Sequence, residues 1–204
     1  LRGYPNIVLM APKDEAEMRD MLLTAIEHPG PAALRYPRGN GIGADISEAP
    51  KTIEIGKGEI VRNGTDAAII AYGTMVNAAS DAAELLASSG VQATVVNARF
   101  VKPLDEGLIT KLAREHHVIV TVEEAYLAGG FGSAVMELLE EHQLLDNTTV
   151  IRLGVPDEIV PHGDVKELLA GYGLDAVGIS DAVRRGLDAV SGKKPDNKRF
   201  RVVR

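Results

Sequence analysis

Four short apolar runs separated by amphipathic stretches constrain the fold of this chain more than any other feature. The runs cover Ala67 to Ala71, Ala93 to Asn97, Val118 to Val122 and Val150 to Leu153. Almost continuously apolar runs of this length are typical of strands that are buried on both faces of a parallel sheet. Between and after them, helical stretches begin near Thr74, Asp105, Gly130 and Asp164. The alternation predicts an α/β fold, a three-layer α/β/α domain with a mostly parallel sheet and right-handed crossovers.

Two further elements are predicted at the ends of this domain. The segment Ile53 to Arg62 alternates around two glycines and is followed by the turn dipeptide Asn63-Gly64, which indicates an irregular strand or hairpin. Near the other end, Ser180 is a good N-cap residue and predicts a last helix that runs to about Val190.

The first 40 residues contain too few elements to close a domain. Asn6 to Met10 has the pattern of a strand, Asp14 is expected to cap a helix that runs to about His28, and Ala32 to Tyr36 has the pattern of a second strand. The apolar side chains on one face of that helix are Met18, Leu22, Leu23 and Ile26. Because the chain also starts at Leu1 without Met, we expect a fragment whose first domain is incomplete.

This reading predicts four segments. Residues 1–40 are the end of one α/β domain, residues 41–51 are a linker rich in Gly, Pro and Ser, residues 52–190 are the second domain, and residues 191–204 are a basic tail. The tail has six cationic side chains around Asp196 and is expected to be solvated: Lys193, Lys194, Lys198, Arg199, Arg201 and Arg204.

Composition excludes several classes of function. The net charge of −7 repels phosphate polymers, and only 4% of the residues are aromatic, so nucleic-acid binding is not expected. The longest apolar runs are far shorter than the roughly 20 residues that cross a bilayer. The chain has no cysteine, which excludes disulfides and thiolate metal sites and suits the cytosol. The five histidines lack the spacing of a zinc site.

A glycine-rich segment follows the third apolar run. Gly129, Gly130 and Gly132 open a helix, where backbone amides can approach a phosphate. A dinucleotide fingerprint, however, requires a third glycine where Val135 stands and an acid at the end of the next strand, where Arg152 stands. We therefore expect these glycines to serve a tight turn and close helix packing.

Glu123 and Glu124 lie where that third run ends, and paired carboxylates can transfer protons or bind a metal. Adjacent residues of an extended chain point to opposite sides, however, so the two are not expected to share a proton or an ion. A solvated or interface role is predicted for them. His162, between Pro161 and Gly163, has no nucleophile or acid beside it in the sequence and is not expected to be catalytic.

Arg38 is the candidate for anion binding. It lies between Pro37, which stiffens the exit from the predicted strand, and Gly39, which leaves room beside the side chain. A planar guanidinium can donate two hydrogen bonds to one phosphate. A structural role that ties the strand end to the linker is the alternative.

Six motifs, in this order along the chain, resemble those of the 1-deoxy-D-xylulose-5-phosphate synthase family. They cover Met10 to Glu15, Leu34 to Asn40, Arg99 to Glu106, Gly154 to Asp157, Pro161 to Gly163 and Gly173 to Ile179. The resemblance implies the end of a pyrimidine-binding domain followed by a transketolase C-terminal domain, whose five-stranded sheet has one antiparallel strand. It extends to about Leu187 and leaves the basic tail without a role.

The resemblance also implies an activity for the parent enzyme. Family members are homodimers that use thiamine diphosphate and magnesium to condense pyruvate with glyceraldehyde 3-phosphate, and the product is a precursor of isoprenoids, thiamine and pyridoxal. Of the family's active-site residues only Arg38 maps here, as the ligand of the sugar phosphate. The cofactor and metal ligands of the family map outside this chain, so we expect it to be inactive alone.

Two alternatives remain open at this point. The beta subunit of a 2-oxo-acid dehydrogenase has the same two terminal domains and a similar Val-Glu-Glu sequence followed by glycines. A free-standing nucleotide-binding α/β module is the other, although the incomplete glycine fingerprint weakens it.

Overall fold

The computed structural model describes residues 1–192, so the predicted basic tail from Lys193 onward lies outside the described residues. The eight strands described are β1 (Val8–Met10), β2 (Ala32–Leu34), β3 (Glu59–Arg62), β4 (Ala67–Tyr72), β5 (Ala93–Asn97), β6 (Phe100–Lys102), β7 (Val118–Tyr126) and β8 (Thr149–Val155). The six helices described are α1 (Glu15–Glu27), α2 (Met75–Ala87), α3 (Glu106–Glu115), α4 (Phe131–Glu141), α5 (Val165–Gly171) and α6 (Ala176–Val190). Across residues 1–192 no helix is long and apolar enough to cross a membrane.

The larger sheet has the strand order β3-β5-β4-β7-β8. Its three pairings that join β5, β4, β7 and β8 are parallel, and the edge strand β3 pairs antiparallel with β5. The four predicted apolar runs form its four parallel strands, and all six residues of β4 are buried. The expected five-stranded sheet with one antiparallel strand is therefore present, and its irregular first strand is β3.

Helices cover both faces of this sheet. Strand residues alternate between two apolar cores, so that Ile69 and Val120 face α2 and α6, while Ile70 and Ile119 face α3 and α4. Removing such side chains from water contributes roughly 1.5–3 kcal/mol each. The three-layer α/β/α prediction is confirmed, and the carboxyl ends of β4 and β7 meet at one edge of the sheet.

A smaller sheet of order β2-β1-β6 joins the first 40 residues to the second domain. Strand β1 pairs parallel with β2 and antiparallel with β6, where Met10 lies opposite Phe100. The sequence did not predict β6, whose pairing with the distant β1 is a tertiary contact. The first segment therefore completes its sheet with a strand from beyond the predicted linker.

Helix α1 has the predicted bounds but not the predicted buried face. Asp14 is its N-cap and accepts from the Glu17 amide. Leu22 and Ile26 are 51% and 73% exposed, while Glu17, Met21 and Thr24 are buried. The apolar pattern was misleading because Glu17 and Thr24 have hydrogen-bond partners inside, which removes the penalty of burying polar groups.

The predicted linker has no helix or strand, yet side chains of α1 hold it along most of its length. Arg19 of α1 donates to the carbonyls of Ile46 and Glu48. In the other direction, Glu15, Asp20 and Thr24 accept from the backbone amides of Gly43, Lys51 and Ile53. The predicted linker is therefore held against α1 by hydrogen bonds.

The last helix begins earlier than predicted. Asp175 is the N-cap of α6 and accepts from the Gly178 amide at 2.8 Å, whereas the hydroxyl of Ser180 lies inside the helix and donates to the Val177 carbonyl. Gly178 packs so closely that a Cβ there would lie 2.4 Å from the Cα of Gly173. Gly173 and Gly178 thus allow the first turn of α6 to pack closely against the preceding turn.

Candidate functional site

Glu123 is buried where β7 approaches the N-terminus of α4. Its side chain accepts from the amides of Phe131 at 2.7 Å and Gly132 at 2.8 Å, and only 1% of the residue is exposed. Burial raises the pKa of the Glu123 carboxyl above its ordinary value, while the two amide hydrogen bonds act in the opposite direction. Negative charge at a helix N-terminus also interacts favourably with the helix dipole.

The glycine-rich segment makes room for this carboxylate. A Cβ at Gly130 would lie 2.2 Å from Oε2 of Glu123 and 2.3 Å from the Tyr126 carbonyl oxygen. Gly129 has a φ of +70°, which favours glycine. The amides that would receive a phosphate in a dinucleotide-binding protein are thus occupied by the chain's own Glu123. The solvated or interface role predicted for Glu123 is wrong, whereas the tight turn is confirmed.

Glu124 points to the opposite side, as expected for adjacent residues of a strand. Its Oε2 lies 3.3 Å from Nη1 of Arg35, and its main-chain oxygen accepts from Nη2 of the same guanidinium at 2.6 Å. The hydroxyl of Thr74, in the turn after β4, is 3.4 Å from the same Oε2. Glu124 therefore connects β7 to the end of the smaller sheet. The sequence did not show this contact, because Arg35 and Glu124 are 89 residues apart.

A cleft of about 370 Å³ lies between the start of α1 and the segment that follows β2. Lys13, Glu15, Arg38, Ile42 and Thr74 are among its lining residues. It is bordered by the two segments, near residues 12–15 and 36–40, that carry the first two recognised motifs. Two of the recognised motifs therefore meet at this cleft.

Arg38 is exposed on this cleft. Within residues 1–192 its side chain has neither a hydrogen bond nor an ion pair. Because β2 ends at Leu34, Arg38 lies in a loop four residues beyond the strand, not at the strand end as predicted. The predicted tie between Arg38 and the linker is not among the contacts of the described chain, which leaves its guanidinium available to a ligand.

The other charged groups of the cleft already have partners. Lys13 forms an ion pair with Asp14. Glu15 accepts from the Gly43 amide at 2.7 Å and from the Ala44 amide at 3.4 Å, and these backbone hydrogen bonds lower the pKa of its carboxyl. Arg38 is thus the cleft's cation without a partner in residues 1–192, and an incoming anion would meet it without first breaking an ion pair.

A buried polar cluster that the sequence did not predict lies behind the cleft. Oε1 of Glu17 accepts from Asn97 at 2.8 Å and from Nε of Arg99 at 2.7 Å, and Oε2 accepts from the Lys13 amide at 2.7 Å. Arg99 has a φ of +58°, and its other guanidinium nitrogen binds Glu59 at 2.7 Å. The cluster fixes α1 to the carboxyl end of β5. Arg99 begins the recognised motif Arg99 to Glu106, and this sequence feature marked a member of the cluster.

No group of three or more His, Asp or Glu side chains within residues 1–192 is arranged to hold a metal ion. His162 is exposed, in the loop before α5. Within residues 1–192 the backbone amides at the start of α4, which could otherwise bind a phosphate, are taken by Glu123.

Comparisons with known proteins agree with this architecture. The family model described as transketolase, C-terminal domain, matches residues 56–179. 1-Deoxy-D-xylulose-5-phosphate synthase 1 of Geobacter metallireducens is 55% identical over 90% of this chain and 29% of that protein. The 1-deoxy-D-xylulose-5-phosphate synthase of Heliobacterium modesticaldum is 53% identical over 93% of this chain and 29% of that protein. The chain thus spans about 29% of the length of these curated relatives.

Solved structures show the same fold. A split-gene transketolase described as an inactive beta4 tetramer superposes with a TM-score of 0.81 at 34% identity, over 91% of this chain and 59% of that one. A transketolase mutant from Pichia stipitis superposes with a TM-score of 0.68 at 18% identity, over 94% of this chain and 27% of that one, which is a likeness of fold alone. With the match of the family model over residues 56–179, these findings show that the chain belongs to the transketolase C-terminal domain family.

Proposed function

We propose that this chain is the C-terminal part of a 1-deoxy-D-xylulose-5-phosphate synthase. The parent enzyme would condense pyruvate with glyceraldehyde 3-phosphate, releasing carbon dioxide and forming 1-deoxy-D-xylulose 5-phosphate. The observation that carries this proposal is that curated synthases are 48–55% identical to at least nine-tenths of this chain. In this proposal residues 1–40 end the pyrimidine-binding domain, residues 41–51 connect it, and residues 52–190 form the transketolase C-terminal domain.

Arg38 is proposed to bind the phosphate of glyceraldehyde 3-phosphate. Its guanidinium is exposed on the cleft and has no partner within residues 1–192, and charge-assisted bidentate hydrogen bonds to phosphate are among the strongest available to a side chain. The neighbouring cation, Lys13, is paired with Asp14. Arg38 is therefore the better candidate of the two for a dianionic group.

Thiamine diphosphate and magnesium are proposed as cofactors of the parent enzyme. When bound, thiamine diphosphate supplies an electron sink for the carbanion that decarboxylation leaves. We assign both to parts of the parent enzyme beyond this chain, because the cofactor and metal ligands of the family it resembles map outside it, and we assign no cofactor step to its residues.

We also propose that the parent enzyme is a cytoplasmic homodimer. Self-association is supported by the beta4 tetramer of the split-gene transketolase, which is 34% identical to this chain. The absence of cysteine is compatible with a reducing compartment. Light scattering on the parent enzyme tests the assembly, and a monomer at high concentration would contradict it.

Assaying the full-length parent enzyme tests the activity. With thiamine diphosphate, magnesium, pyruvate and glyceraldehyde 3-phosphate, we expect 1-deoxy-D-xylulose 5-phosphate and carbon dioxide in equal amounts, measured by mass spectrometry and gas release. The isolated 204-residue chain, assayed identically, should release no carbon dioxide. Turnover by the isolated chain, or ketol transfer between sugars without pyruvate use by the parent enzyme, would refute the proposal.

A further inference from the structure

The loop that carries Arg38 is fastened at both ends. We define the Arg38 loop as residues 35–43. At its first residue, the guanidinium of Arg35 binds Glu124, and at its last residue the Gly43 amide donates to Glu15 at 2.7 Å. Among residues 1–192, no side chain within the loop between these ends forms a hydrogen bond or ion pair. The two carboxylates therefore set where the loop begins and ends.

At the start of the Arg38 loop, both the backbone and the side chain of Arg35 form hydrogen bonds. Its backbone amide donates to the Met10 carbonyl at 2.9 Å, which keeps it beside β1 in the smaller sheet. Its side chain reaches the larger sheet, where Nη2 donates to the main-chain oxygen of Glu124 at 2.6 Å and Nη1 lies 3.3 Å from the carboxylate. Arg35 thus connects the two sheets. Because its backbone and its side chain are both bound, the position of the chain directly after β2 is fixed.

The carboxylates of Glu123 and Glu124 have different partners, so only Glu124 contacts Arg35. The carboxylate of Glu123 is bound to the amides of α4, whereas that of Glu124 is half-buried and lies within 3.4 Å of Thr74 as well as near Arg35. Thr74 lines the same cleft as Arg38. One carboxylate therefore contacts both the start of the Arg38 loop and a threonine that lines the cleft.

We propose that Glu124, acting through Arg35, is a positioning residue for the phosphate site: it holds the Arg38 loop so that the guanidinium of Arg38 faces the cleft. This inference rests on the proposed function, since it concerns the phosphate site of the same enzyme. It assigns no contact between Glu124 and the substrate. The effect should therefore appear in the affinity for the phosphate-bearing acceptor, and only while Arg38 is present.

The test is a double-mutant cycle in the full-length enzyme. Glu124→Gln keeps the shape and removes the charge, while the bond from Arg35 to the main-chain oxygen remains. Because the ion pair is partly exposed, we expect the KM for glyceraldehyde 3-phosphate to rise roughly 2- to 5-fold, with kcat and the KM for pyruvate unchanged. Combined with Arg38→Ala, Glu124→Gln should cause no further loss, since the residue it positions is gone.

Two controls make the result specific. Glu140→Gln, at an exposed position on α4, should leave both KM values unchanged. Arg35→Gln removes the ion pair and also the hydrogen bond to the main-chain oxygen of Glu124, so it should raise the KM for the acceptor at least as much as Glu124→Gln does. A melting curve of each variant identifies any that is unfolded, and Arg35→Gln replaces Glu124→Gln in the cycle if the latter does not fold.

The outcomes separate this inference from the proposed function. If Arg38→Ala impairs acceptor use but Glu124→Gln does not, the positioning role is overturned and the proposed function stands. A Glu124→Gln loss that is equally large with and without Arg38, or equally large for both substrates, also overturns it and indicates a general structural effect. If Arg38→Ala itself leaves acceptor use unchanged, the phosphate role of Arg38 and the positioning role fall together.

Discussion

Two segments of this molecule present hydrogen-bond donors that suit an anion. In one of them a carboxylate of the chain itself accepts these hydrogen bonds, and in the other no group of the described chain does. At the N-terminus of α4, two backbone amides bind the buried carboxylate of Glu123. In the Arg38 loop, the guanidinium of Arg38 is exposed and has no partner within residues 1–192. Satisfied groups stabilise a fold, whereas an unpaired cation on a cleft is available to a ligand. We therefore expect Glu123 to stabilise the fold, and we propose that Arg38 binds a ligand.

Removing the carboxylate at α4 should have the largest effect on stability. Glu123→Ala leaves two buried amides without acceptors and a small void, and each lost hydrogen bond to a charged group contributes about 1.5–3 kcal/mol. Because the variant also relieves the cost of burying a charge, we expect a net loss of about 2–4 kcal/mol in the free energy of unfolding. Urea denaturation of the chain measures it.

The matched control for this prediction is Glu140→Ala on the same helix, which is exposed and should change the free energy of unfolding by less than about 0.5 kcal/mol. Equal effects of the two substitutions would show that the Glu123 carboxylate does not hold the start of α4.

The pH dependence of the free energy of unfolding also tests how the buried Glu123 carboxylate affects stability. Burial raises the pKa of Glu123 in the folded chain, so between the ordinary and the raised pKa the folded state binds more protons than the unfolded state. The contribution of Glu123 to the free energy of unfolding therefore decreases as the pH rises through this interval. Glu123→Gln, which cannot ionise, should lack this decrease.

Denaturation of wild type and Glu123→Gln across the acid-to-neutral range tests the sign. We expect the wild type to lose stability relative to the variant as the pH increases. The reverse trend would mean that the amide hydrogen bonds outweigh burial and that the pKa of Glu123 is lowered.

Arg38 should contribute least to stability. Since its side chain is exposed and has no partner among residues 1–192, Arg38→Ala should change the free energy of unfolding by less than about 0.5 kcal/mol. Thermal melts of the isolated chain provide the measurement. A loss comparable to that of Glu123→Ala would remove the distinction between the two segments and favour the structural role of Arg38.

Local patterns were sufficient for much of the fold. The apolar runs predicted the four parallel strands, and Asp14 and Asp105 were correctly expected near helix starts, where each accepts an amide hydrogen bond. These features depend on residues within a few positions of each other. The start of α6 was placed too late because Ser180 is as good an N-cap residue as Asp175, which is the N-cap in the structure.

The contacts of the site could not be predicted in the same way. Glu124 binds a residue 89 positions away, and the buried Glu17 binds Arg99, 82 positions away. A sequence pattern records that a residue is charged but not whether a distant partner neutralises it. Leu22, predicted on the buried face of α1, is therefore exposed, while Glu17 is buried because its tertiary partners allow a carboxylate inside. The adjacent carboxylates were correctly expected to point apart because that follows from strand geometry alone.

The most direct test of the central claim is the acceptor kinetics of Arg38→Ala in the full-length enzyme. Loss of a charge-assisted phosphate contact, about 1.5–3 kcal/mol, should lower kcat/KM for glyceraldehyde 3-phosphate roughly 10- to 150-fold. The KM for pyruvate and the melting temperature should remain unchanged. Arg38→Lys should recover only part of the loss, because an ammonium lacks the planar fork. Unchanged acceptor kinetics in Arg38→Ala, or equal losses for both substrates, would contradict the assignment of this loop to phosphate binding.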